Sequence, residues 1–171
     1  MAMKEISIDE LNLNPVNAFD KGWAILTAGD KTGGFNGMTV SWGAMGEIWG
    51  KPAAFVFVRP QRYTLEFCEK SDYFTVSFFN GSRKKELGFF GSKSGRDYDK
   101  FKETGLTPET DGEFVYCGEA KTVLLCKKIA KTEFMPENFY DSAIEDCYTE
   151  KDYHKIFVGE IVKVLKNTDT D

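Results

Sequence analysis

Asn36-Gly37-Met38-Thr39-Val40-Ser41-Trp42-Gly43-Ala44-Met45-Gly46-Glu47-Ile48-Trp49-Gly50-Lys51-Pro52 runs straight into Ala53-Ala54-Phe55-Val56-Phe57-Val58-Arg59-Pro60-Gln61-Arg62-Tyr63-Thr64. The first part reads as a β-branched strand entering a Gly-rich, Trp-bearing turn. The second is an apolar strand that stops at Pro60 in a basic, hydroxyl-bearing corner. Flat apolar surface, accessible backbone and anion-binding groups thus fall within one expected hairpin. That combination suits a planar ligand with a phosphate tail.

The corner carries the anion chemistry. Arg59 and Arg62 flank Pro60, and Tyr63 and Thr64 follow. A guanidinium fork matches phosphate oxygens, and a helix starting here would present free amides. The alternative is a pair of surface arginines bonded to Glu66 or Glu69. On the preceding strand, Thr39 and Ser41 point to one face and Val40 and Trp42 to the other. Hydroxyls and amides there can bond the polar edge of a fused ring, while Trp42 and Met45 cover its face. An ordinary hairpin turn with a core Trp is the plainer reading. The loop Ser92 to Lys100 adds Lys93, Ser94, Arg96, Asp97 and Lys100, as a second anion clamp or as a solvated loop.

Composition bounds the class. The chain has 171 residues, which suits one domain spanning 1–171. It is 42% hydrophobic and 15% aromatic, with fifteen Phe, enough for a sheet-rich core and flat ligand surfaces. A net charge of −5 argues against nucleic-acid or anionic-membrane binding. Cys68, Cys117, Cys126 and Cys147 form no CxxC pair, and His154 is the single histidine, so no metal site is expected. With no leader pattern and no long apolar run, the cysteines read as reduced thiols of a cytoplasmic protein.

Along the chain, the start is a polar lead-in that Ile6, Ile8, Leu11 and Leu13 could lay along a sheet edge. Gly22–Ala28 and Met38–Trp42 read as strands around the turn cluster 29–34. Ala53–Val58 reads as a strand buried on both faces. A helix over Arg62–Ser71, a strand over Tyr73–Phe79 and a helix over Arg83–Phe90 follow. Asp97 is expected to cap a short helix over Asp97–Thr104. Phe114–Phe134 gives one or two strands, with a turn near Gly118. Pro136–Tyr148 is acidic, a solvated segment or a lid. Tyr153–Leu165 closes the chain as a strand, with Gly159 at a bulge. Many strands broken by short helices make the fold class mainly β, a closed or nearly closed antiparallel barrel.

His154 stands just before that last strand. It is either structural or merely exposed, or else a hydrogen-bond donor or proton source beside a redox ring. Neither a nucleophile elbow, nor a Walker loop, nor a Gly-x-Gly-x-x-Gly fingerprint is present, so a nicotinamide donor would not bind through a dinucleotide fold.

Three motifs in order carry a family resemblance. Thr39-Val40-Ser41-Trp42-Gly43 with Val58-Arg59-Pro60-Gln61-Arg62-Tyr63-Thr64 is the first. Ser94-Gly95-Arg96-Asp97 with Lys100-Phe101 and Gly105-Leu106 is the second. Asp152-Tyr153-His154 with Gly159-Glu160-Ile161 is the third. Together they resemble the flavin reductase-like proteins with the FMN-binding split barrel, over about Ala18 to Val164. The resemblance implies a six-stranded Greek-key barrel, usually a homodimer, binding FMN without a covalent bond. Thr39, Val40, Ser41 and Trp42 would line the isoalloxazine. Arg59, Arg62, Tyr63 and Thr64 would hold the phosphate, and Ser94, Arg96, Asp97 and Lys100 would complete the site. His154 would lie near the reactive face, as the catalytic candidate. The implied activity is that of an NAD(P)H-dependent flavin or ferric reductase, with NADH or NADPH as donor. The alternative is a flavoredoxin-type electron carrier with a redox protein partner.

Overall fold

The computed structural model describes residues 3–168. Alternation of side chains decides its main sheet. β2 (Ala24–Asp30), β3 (Gly34–Val40), β5 (Lys51–Val58), β6 (Tyr73–Phe78), β9 (Thr122–Glu133) and β10 (Lys155–Asn167) turn every second apolar residue to one core. Leu26, Met38, Val56, Phe74, Leu124 and Phe157 meet there. The order is β3-β2-β6-β9-β10-β5-β4, where β4 is Gly43–Ile48, and β1 (Met3–Ile6) pairs with β10. All pairings are antiparallel. Six of the eight strands supply buried residues, whereas β1 and β4 supply none. The sheet is therefore a six-stranded core with two flanking additions.

Strands from both ends of this path share the one core, so the sheet is rolled into a barrel. No ladder joins β3 to β4, which leaves the barrel split between them. The split is packed by α1 (Pro15–Asn17) and the helical turn Ala18–Gly22, which carries Phe19. The Phe19 ring meets Phe78 edge-on at 5.2 Å. It also lies over Gly43, where a Cβ would come within 2.3 Å of it, so only glycine fits.

A second core covers the outer face. Ile25, Val123 and Leu125 point outward and meet Leu87 and Phe90 of α3 (Lys84–Ser92) and Phe101 of α4 (Lys100–Thr104). The hairpin of β7 (Pro108–Asp111) and β8 (Phe114–Cys117) joins them through Tyr116 and Cys117. α2 (Thr64–Lys70) connects β5 to β6.

The expectations for β2, β6 and the closing strand hold, and β5 is a strand as expected. Of the polar lead-in, Met3–Ile6 lies on a sheet edge, as β1 beside β10, whereas Ile8 falls in a 3-10 turn (Ile8–Glu10) and Leu11 and Leu13 lie outside any strand. Gly159 sits at a register shift against β9, and a Cβ there would come within 2.5 Å of the Phe74 ring. Four details differ. The turn expected over 43–50 is β4, and only Trp49 (φ 56°) and Gly50 (φ 71°) form the turn into β5. The quoted stretch thus spans two hairpins, since β3 pairs with β2. β5 buries one face fully and leaves Phe55 and Phe57 half-buried on the other. Asp97 does not cap α4, because its amide and that of Tyr98 close a turn on the Ser94 carbonyl; Asp99 accepts from the Lys102 amide instead. Among the described residues, no helix is long and apolar enough to cross a membrane.

Candidate cofactor pocket

The ends of the stretch from Asn36 to Thr64 are tied together in the interior. Asn36 Nδ2 donates to Thr64 Oγ1 at 2.8 Å, and both residues are buried. This holds the start of β3 against the start of α2. The 94–97 turn joins them, because Gly95 packs so closely on Asn36 that a Cβ would fall 2.2 Å from its Oδ1.

Beside this corner opens a cavity of about 230 Å³. Thr39, Val40, Ser41 and Trp42 form one wall, and Arg59, Arg62 and His154 form the other. Residues far apart in the chain, from the first and third motifs, thus converge on one space, while the second motif supplies none of its lining. Met38 and Phe57 also line it. Sequence reasoning missed Phe57 because the apolar run was assigned wholly to the core. The usable signal was its alternation, which sets Phe57 opposite Val56 and Val58.

The remaining candidates sit behind or beside the cavity. Thr64 is occupied by Asn36. Tyr63 meets Phe67 edge-on at 5.0 Å, and the Arg96 guanidinium lies 4.6 Å from its ring. Arg96 also pairs with Glu66 at 2.6 Å. Ser94 and Asp97 shape the turn rather than face the cavity. Neither Arg59 nor Arg62 pairs with Glu66 or Glu69, so the surface-pair alternative fails for both. Nor does α2 offer an open row of amides. Its first turn is closed by bonds from Leu65 and Glu66 to the Arg62 and Tyr63 carbonyls.

Arg62 and Lys100 form the feature that most needs a ligand. Arg62 donates to the Gly91 carbonyl at 2.6 Å and the Phe90 carbonyl at 3.1 Å. Lys100 Nζ donates to the same Phe90 carbonyl at 3.1 Å and is only 4% exposed. The two cations cap the carbonyl end of α3, which favours positive charge. Neither is paired with a carboxylate among the described residues. Burial lowers the Lys100 pKa to about 8, with help from the Arg62 charge, and burial also lowers that of Arg62. Two desolvated cations lacking a counter-ion make a donor set for an anion.

Arg59 has a different partner. It binds Asp152 at 2.6 Å and the Cys147 carbonyl at 2.9 Å, and lies 5.1 Å from the Tyr148 ring. Gln61 donates to the same Asp152 oxygen at 2.6 Å. These bonds fasten the segment between β9 and β10 over the end of β5. That segment holds turns of 3-10 helix at Pro136–Asn138 and Ser142–Cys147.

His154 is 7% exposed, and its Nδ1 lies 2.8 Å from the hydroxyl of buried Tyr148. Its ring is 5.2 Å from that of Trp42. Burial, and then the Arg59 charge, lower its pKa to about 4. At neutral pH the ring is uncharged. If Tyr148 donates to Nδ1, the tautomer carries its proton on Nε2 and the ring donates through that atom.

Residues 16–171 match the flavin reductase like domain family. The chain belongs to that family. Solved structures share its fold at low identity. An FMN-binding domain of a flavin reductase-like enzyme from Shewanella baltica is 18% identical (TM-score 0.69), covering 99% of this chain and 80% of its own. Flavoredoxin of Desulfovibrio vulgaris is 21% identical (TM-score 0.68), covering 97% and 78%. The styrene monooxygenase flavin reductase of Pseudomonas putida is 18% identical (TM-score 0.64), covering 90% and 84%. No curated protein matches the chain.

Proposed function

We propose that this flavin reductase-like protein binds FMN without a covalent bond in the pocket between β3 and His154, and works as an NAD(P)H-dependent flavin or ferric reductase. The observation that carries this reading is a pair of cations, half-buried Arg62 and buried Lys100, with no carboxylate partner among the described residues, beside a cavity walled by strand backbone and Trp42. A guanidinium and an ammonium suit a phosphate, and a strand edge with an indole suits a flat ring. Bound FMN would supply the redox chemistry by accepting hydride from NADH or NADPH and passing electrons to an acceptor.

The chain's own residues would then bind, orient and shield. Arg62 and Lys100 hold the phosphate, with Arg96 and Ser94 close by. Thr39 donates its hydroxyl to the Leu87 carbonyl at 2.5 Å, which fixes the end of β3 on α3. Thr39, Val40, Ser41 and Trp42 then present backbone and hydroxyl groups to the ring. His154 donates a hydrogen bond from a neutral ring. His154→Ala is expected to leave FMN affinity within about twofold and slow flavin reduction by about tenfold or more. Stopped-flow reduction by NADH without air checks this, and an unaltered rate would assign His154 to structure alone.

Protonation gives two further expectations. Lys100 loses its charge as pH rises through about 8. FMN affinity is therefore expected to fall across that range, and to lose the dependence in Lys100→Met; titrations from pH 6.5 to 9.5 read it directly. His154 has a folded pKa below its unfolded value of 6.5. The unfolded chain then binds the proton more readily, so the stability contributed by neutral His154 is complete above about pH 6.5 and is lost as pH falls through about 4. Urea unfolding of wild type and His154→Gln across that window checks the sign.

A flavoredoxin-type electron carrier is the second reading, with a redox protein as donor or acceptor. The acidic loop beside the pocket favours it. Anaerobic addition of NADH and of NADPH separates the two, because prompt bleaching of bound flavin supports the reductase and none supports the carrier.

A further inference from the structure

The loop between β9 and β10 carries a net charge equal to that of the whole chain, −5. Residues 134–153 contain six acidic side chains, Glu137, Asp141, Glu145, Asp146, Glu150 and Asp152, against Lys151 alone. Removing those six from the chain's 27 acidic residues, and that lysine from its 22 basic ones, leaves 21 of each. The rest of the molecule is balanced, so its field is concentrated at this one place. Asp152 is neutralised by Arg59. Glu137, Asp141, Glu145, Asp146 and Glu150 are exposed, and none holds an ion pair among the described residues.

The same loop carries an apolar groove of about 480 Å³, lined by Phe134, Met135, Phe139, Tyr140 and Ile144, with Asp141 in its wall. Tyr140 is wholly exposed, and Met135 and Ile144 are partly so. Apolar surface left open on the loop that carries these exposed acids, with Asp141 at its wall, suits a docking site that has an apolar centre and charged surroundings. The groove is one aromatic layer from the pocket. Phe139 stacks on Tyr148 at 6.1 Å, and Tyr148 bonds to His154 in the pocket wall.

We infer that this groove docks a basic protein partner, one whose contact face has an apolar centre ringed by lysine or arginine, and so brings that partner against the flavin pocket. Acids of the loop steer a basic partner and repel acidic ones. They also disfavour a two-fold contact centred on this groove, which would set the same acidic loop against itself. The inference builds on the flavin reading for its use, but the docking itself can be measured without flavin.

The probe is cytochrome c, a basic haem protein with a lysine-ringed apolar edge, titrated calorimetrically into the full-length flavin-free protein. Lysine-acetylated cytochrome c is the control. Binding is expected to weaken about tenfold between roughly 20 and 200 mM salt and to disappear with the acetylated control. Tyr140→Ala and the double variant Glu137→Gln/Asp146→Asn should each weaken it about tenfold. These side chains are exposed, so the variants leave the fold intact, and circular dichroism confirms it. No binding at low salt would overturn the inference, as would binding that the groove variants do not change. A shift of Tyr140→Ala toward monomer in sedimentation, with cytochrome c affinity unaltered, would assign the groove to a second copy and overturn it as well. FMN titration of the same samples keeps failure of docking separate from failure of the flavin reading.

Discussion

Replacing Phe78 with alanine is expected to destabilise the fold by about 3–5 kcal/mol, read as a drop in the urea midpoint at unchanged slope. Phe78 is 1% exposed and stands in the inner core. Its ring is also the edge-on partner of Phe19. That partner fills the split between β3 and β4, where Gly43 leaves it room. Loss of the Phe78 ring leaves a cavity and unseats the residue that packs the open side of the barrel. Retention of wild-type stability would show that the Ala18–Gly22 turn holds Phe19 without help from the core.

Arg62→Ala is expected to weaken FMN binding by about 1.5–3 kcal/mol, roughly tenfold to 150-fold. The guanidinium is half-buried, lines the cavity, and uses only part of its donor set on the Phe90 and Gly91 carbonyls. Its removal leaves Lys100 as the remaining cation at that end and frees two carbonyls of α3. A modest loss of stability should therefore accompany the loss of affinity. Arg62→Lys separates the effects, since it keeps a charge but cannot reproduce two directed bonds. FMN affinity unchanged in both variants would remove Arg62 from the site.

The fold was legible where the physics is local. Tyr73–Phe79 shows alternating aromatic and β-branched side chains, Ala53–Val58 is an unbroken apolar run of strand length, and Gly159 among bulky neighbours marked a close approach. β4 was not legible because Gly43-Ala44-Met45-Gly46 has no β-branched residue and buries none of its side chains. β7 was hidden by its polar composition and the leading Pro108. The pocket was partly legible. Hydroxyls and an indole at the end of one strand, and arginines at the end of another, indicated a ligand corner. The pairing of Arg59 with Asp152 joins residues 93 apart, and no local pattern announces it. The neutrality of His154 is equally non-local, arising from burial under Tyr148 and the nearby Arg59 charge. The isolation of Arg62 and Lys100 from every carboxylate among the described residues becomes visible only once α3 and α4 are packed.

The most direct test is a pair of titrations of the flavin-free protein, one with FMN and one with riboflavin, which differs only in lacking the phosphate. Flavin absorbance and fluorescence should report FMN binding that is at least about tenfold tighter than riboflavin binding, and Arg62→Ala should remove that difference. Equal affinities for the two flavins in the wild-type protein, or no binding of either, would contradict phosphate capture by Arg62 and Lys100.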